Sequence, residues 1–226
     1  MNERFSIGNS LNGKDYFNYY FSGVVWIVDF FLLISSRTST GHLLGLIQKI
    51  PTVISIILVV AIPYVVGFVL SPCGNCVTKW IREIFDDPVD WVLVLGDEPA
   101  WDNKHKGKRL AGVWRKSLYD KIKELVGKDI KYSPFFWVRT YVETFSPDNG
   151  RKLADRALIL ANLTESLILP SSLLSFLILE QIGLPCIVSF LISVLIFSLL
   201  CYRYLQLREY WAKHVYRVFY FTQHQK

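Results

Sequence analysis

Apolar residues in this chain gather into four long runs divided by polar connections. Ile50 to Ser71 contains no charged residue, and Leu184 to Leu200 is likewise uncharged and extended by Cys201 and Tyr202. Ala157 to Leu179 is broken by Asn162, Glu165 and Pro170. The weakest run, Phe21 to Ser36, is 16 residues long and carries Asp29. A hydrocarbon core of roughly 30 Å takes about 20 helical residues. The runs therefore predict four transmembrane helices, at about 17–36, 50–71, 157–179 and 184–202. Tyr16, Phe17, Tyr19 and Tyr20 suit an interfacial aromatic belt at the start of the first. That span begins late, after a long polar segment, and no A-x-A-like site follows it, so it reads as an uncleaved anchor rather than a signal peptide.

Between the runs the period changes. Arg37 to Lys49 predicts a short connection in which His42 to Lys49 forms an interfacial helix. Pro63 predicts a kink in the second span, and Pro72-Cys73-Gly74-Asn75-Cys76 a helix-breaking turn. Beyond it, Val77, Trp80, Ile81, Ile84 and Phe85 recur as one apolar stripe, ended by Asp87 and Pro88. Trp91 to Leu95 reads as a short strand and Trp101 to Gly107 as polar loop. Leu110, Trp114, Leu118, Ile122 and Leu125 mark one face of a helix stopped by Gly127. Ser133-Pro134 opens another, with Phe135, Val138, Val142 and Phe145 on one side. Ser146-Pro147-Asp148 opens a third that runs into the third span. The fourth span continues past Arg203 through Leu207, Trp211, Val215 and Val218.

The expected fold is an all-α integral membrane protein: a bundle of four transmembrane helices with a small, mostly helical cytoplasmic cap. Its segments are 1–72 (tail and first two spans), 73–156 (cytoplasmic loop), 157–202 (last two spans) and 203–226 (cytoplasmic helix extension).

Charge orients this scheme. The face holding both termini and the central loop carries 23 Lys and Arg residues, against only Arg37 and Lys49 opposite. Positive loops stay cytoplasmic, which predicts a multi-pass protein with both termini inside. The net charge of +6 then reflects orientation. The central loop carries 13 acids beside its 16 bases, a mixed surface that argues against a nucleic-acid partner.

Candidate chemistry is sparse. Asp29 and Glu165 lie inside predicted spans, where a charged side chain costs at least about 2.5–3.5 kcal/mol. No Lys or Arg within a span neutralises them. With Asn162 they form a candidate ion or proton path; the alternative is a pair of neutral acids that stitch helices together through Asn162, Ser166 or backbone carbonyls. Similar distances from the cytoplasmic end would let the two acids meet. Cys73 and Cys76 form a C-x-x-C, a weak redox or metal signal beside the reading of two thiols in a turn. The other cysteines belong to the fourth span, Cys201 near the same face and Cys186 at the opposite one, and the four histidines show no ligand spacing, although His105 or His214 could approach in three dimensions. Gly67 and Ser71, Ser171 and Ser175, and Ser189 and Ser193 have the small-xxx-small spacing that lets helices approach closely, within a hairpin or between copies. Motifs for phosphate-binding loops, H-E-x-x-H zincins and G-x-S-x-G hydrolases are missing from the sequence, so neither cofactor nor resident metal is expected.

The leading functional expectation is a non-enzymatic membrane-embedded interaction protein, an anchor, sensor or oligomeric component. It would work in the lipid bilayer through a cytoplasmic protein partner or a second copy of itself. The alternative is a small ion or proton channel using the intramembrane carboxylates. A membrane thiol oxidoreductase ranks third, since its cysteines fall on the reducing side.

Overall fold

The computed structural model describes residues 13–35, 52–85, 87–92, 112–126, 134–146 and 148–224. Among the described residues there are seven helices and no strand. They are α1 (Gly13–Ser35), α2 (Thr52–Phe85), α3 (Pro88–Trp91), α4 (Gly112–Val126), α5 (Pro134–Phe145), α6 (Asp148–Gln181) and α7 (Cys186–His224). Helices α1, α2, α6 and α7 are long and apolar enough to cross a membrane. The expected connection at 37–49, its interfacial helix, and the loop at 101–107 lie outside the described residues.

Helix α1 has 23 residues, enough to cross a bilayer where its apolar run alone falls short. Helices α2 and α6 have 34 residues each and α7 has 39, so each outlasts its apolar run by several turns. The break expected after Pro72 does not occur: α2 runs unbroken through Pro63 and Pro72 to Phe85. Proline removes one intrahelical donor, which tertiary packing can offset. Just beyond Pro72, Gly74 and Thr78 contact Glu165 of α6. The short strand expected from Trp91 is also corrected, because Trp91 closes a helical turn and Val92 caps it. The Asp87 side chain accepts from the Val89 N–H and Pro88 takes the first helical position, a local start signal that outweighs β-propensity. Residues 93–95 are outside the described set.

By its contacts the chain divides into two compact units. One is Met1–Thr78 with Asn162–Cys201, the other Lys79–Ala161 with Tyr202–Lys226.

In the first unit, α1 and α2 cross antiparallel with backbones in contact at Gly23 and Gly67. A Cβ on Gly23 would fall on the Pro63 carbonyl oxygen, and one on Gly67 on that of Tyr19. Gly74 gives α6 similar access, since a Cβ there would meet the Glu165 carbonyl oxygen at 2.8 Å. Helices α6 and α7 are tied by the Ser175 and Ser193 hydroxyls, 3.2 Å apart. Gly183, at φ +88°, stops α6: its N–H donates to Glu180 and that of Leu184 to Leu179. Those paired bonds form the Schellman closure, which a left-handed glycine makes without Cβ strain.

The second unit has a core of its own. Leu118 and Ile122 of α4, Phe135, Val138 and Val142 of α5, and Trp211, Val215 and Phe219 of α7 pack with Val92 and Ala157. Phe135 meets Trp211 and Tyr216 edge-on, with centroids 4.9 and 5.7 Å away. Such pairs add about 0.5–1.5 kcal/mol beyond area burial. Arg208 grips Asp87 with two bonds, Nε to Oδ1 at 3.1 Å and an Nη to Oδ2 at 2.7 Å. This fixes the turn before α3 against α7. Of the core face expected from the sequence, Leu118, Ile122, Phe135, Val138 and Val142 are buried, whereas Leu125 and Phe145 are exposed.

Candidate functional site

Asp29 lies on α1 and is completely buried. Among the described residues neither carboxylate oxygen has a hydrogen-bond partner. A buried polar group left unpaired is uncommon and costs stability. In an apolar setting such a carboxyl is suited to holding a proton or a small cation.

Glu165 is engaged elsewhere. Its carboxylate accepts from the Thr78 hydroxyl at 2.5 Å, tying α6 to α2. The Thr78 oxygen is also 3.2 Å from the Gly74 and Asn75 carbonyls of its own helix. Gly74 makes this clamp possible, because the missing side chain lets the Glu165 backbone approach.

The two acids are therefore not partners of one another. Ser22 donates to the Ser166 carbonyl at 2.9 Å, which sets where α1 meets the Glu165 turn. Asp29 is two turns further along α1, about 10 Å away at 1.5 Å per residue. Asn162 lies one turn before Glu165 on α6 and is exposed.

The Ser22 bond has a second meaning. Pro170 sits inside α6 and has no N–H to give the Ser166 carbonyl, four residues back. The Ser22 hydroxyl supplies the donor that the proline removes. Sequence reasoning missed Ser22 and Gly23, although a Ser-Gly pair amid large apolar residues was a usable signal. It also missed Thr78, which lies beyond the apolar run.

Among the small residues, Gly67 is in contact with Gly23 and Ser71 is half-buried. Ser175 donates to the Ser172 carbonyl as well as meeting Ser193. Ser171 is half-buried, and Ser189 is buried with no partner for its hydroxyl among the described residues.

Cys73 and Cys76 are free, exposed thiols on one continuous helix. Among the described residues, no group of three His, Cys, Asp or Glu side chains could hold a metal ion. His214, in the second unit, is buried against Tyr210 at 4.1 Å. Burial, and then the charge of Arg217, hold its imidazole below the ordinary histidine pKa.

No protein-family model matches this chain, and no curated protein or solved structure is significantly similar to it.

Proposed function

We propose that this chain is a multi-pass membrane protein acting as a non-enzymatic interaction protein, with both termini and residues 73–156 in the cytoplasm. Two features support the membrane setting. Phe30, Phe31 and Ile34 of α1 and Ile187, Phe190, Leu191, Leu195 and Leu199 of α7 are exposed, as lipid-facing side chains would be. The charge asymmetry gives the orientation.

The observation that carries the interaction role is an apolar groove in the second unit, about 200 Å³, bordered by Leu125, Trp137, Phe145 and Phe219. Leu125, Trp137 and Phe145 are exposed despite belonging to otherwise core-facing helices. A groove of this character takes the apolar face of a partner's helix. Its test is in-cell photocrosslinking from position 137 or 145, with position 152 as an exposed control. A discrete protein adduct at the first two positions, lost on Leu125→Asp, is expected. Adducts with lipid alone, or equal labelling at all three, would sink the proposal.

One observation favours a second reading, a proton or cation conductor: the unpaired, fully buried Asp29. Reconstituted protein would then pass protons or potassium, and Asp29→Asn would abolish the flux with folding intact. Wild-type protein without flux would remove this reading.

A further inference from the structure

The second unit holds another groove, about 610 Å³, between the start of the apolar part of α6 and the extension of α7. Its chemistry differs from that of the aromatic groove. Ala157, Leu160 and Leu207 make an apolar floor, while Arg156, Arg203 and Lys213 supply cations around it. Lys213 is already engaged, its ammonium 2.7 Å from Glu209. Arg203 spends one N–H on Gln206 at 3.2 Å, and its other guanidinium donors have no partner among the described residues. Arg156 and Arg203 make no ion pair among the described residues, and both side chains are exposed.

We infer that this groove binds the headgroup of an anionic phospholipid, with Arg156 and Arg203 holding the phosphate. The inference rests on the membrane reading above and adds a ligand to it. Arg156 immediately precedes the apolar run 157–179, and Arg203 immediately follows 184–202. If these runs cross the bilayer, both guanidiniums stand at headgroup level. Guanidinium is the cation that meets phosphate oxygens with paired, planar N–H donors. The apolar floor distinguishes a lipid from a free phosphate, because the glycerol and first acyl carbons need an apolar bed beneath the charged end. Leu160 of that floor is half exposed, as a side chain meeting an acyl chain would be. With Glu209 of the groove taken up by Lys213, and no acid paired with Arg156 or Arg203 among the described residues, the groove favours a net-negative headgroup over a zwitterionic one, whose choline the arginines would repel. Basic pockets between helices at the cytoplasmic boundary are a recurrent device for this purpose.

The test uses the full chain reconstituted in phosphatidylcholine bilayers with spin-labelled phosphatidylglycerol or phosphatidylcholine as probe. The motionally restricted fraction of each gives the relative association constant. Wild-type protein should prefer the anionic probe, and each arginine replaced by glutamine should lower that preference roughly five-fold. Arg156→Lys with Arg203→Lys keeps the charge and should retain part of the preference, which separates lost binding from lost folding. Lys123→Gln or Arg217→Gln removes the same charge elsewhere in the second unit, and each should change little. An equal fall in these controls would overturn the site in favour of general surface charge. Absence of preference in the wild type would overturn it too. Binding of soluble glycerol phosphate in detergent, without lipid preference, would replace the headgroup by a free phosphate. A chain that alkaline extraction releases from the bilayer would refute the membrane reading itself, an outcome distinct from all of these.

Discussion

The hydroxyl of Ser22 on α1 donates to the carbonyl that Pro170 leaves without a partner on α6. Pro170 cannot supply the N–H that Ser166 would receive in an unbroken helix, and the Ser22 oxygen lies 2.9 Å from that carbonyl in a buried position. One side chain thus completes a neighbouring helix and joins the two. Ser22→Ala should cost about 1–2 kcal/mol, the usual range for orphaning a buried acceptor. Pro170→Ala restores the backbone donor, so the double variant should recover most of the loss. Denaturant titration in detergent micelles would read this cycle, and strictly additive effects would contradict the coupling.

The α1–α2 crossing tolerates no side chain at its centre. Gly23→Ala or Gly67→Ala places a methyl group on backbone carbonyls, which cannot rotate away as a side chain would. Either substitution should destabilise by more than about 3 kcal/mol or prevent folding. Gly74→Ala, with its closest approach at 2.8 Å, should be milder. Thermal unfolding of the three variants should preserve this order.

Asp87 performs two tasks at once. It caps α3 through the Val89 N–H and receives the two-pronged contact from Arg208, with Arg82 3.8 Å away. Asp87→Ala removes the cap and leaves a largely buried guanidinium without its carboxylate. A loss of about 2–4 kcal/mol is expected. Asp87→Asn keeps the cap and should lose less, as calorimetry would register.

His214 makes stability depend on pH. Its folded-state pKa lies below the ordinary 6.5, chiefly through burial and next through Arg217. The unfolded chain therefore binds the proton more readily, and protonation favours unfolding. The contribution is fully present above about pH 6.5 and declines as pH falls towards the folded-state value. The unfolding midpoint should drop on mild acidification, and His214→Phe should flatten that part of the profile. An unchanged profile in the variant would assign the dependence to other groups.

Long uncharged runs, proline placement and capping residues act locally, so the sequence by itself determined the four membrane-length helices and the helical starts at Pro134 and Asp148. The extension of α7 past Arg203 was legible for the same reason: Leu207, Trp211 and Val215 keep a helical spacing whatever they touch. Asp29 and Glu165 stood out because charge in an apolar run is costly wherever it ends up.

Only the tertiary structure decided how those residues are used. Gly74 looked like part of a helix-breaking turn, yet contact with Glu165 accompanies an unbroken α2. Glu165 found Thr78 rather than Asp29, and Ser22 found the carbonyl that Pro170 orphaned. A hydrogen bond between helices depends on which faces meet and at what height. That information is carried by packing between distant segments, and no local pattern in the chain encodes it.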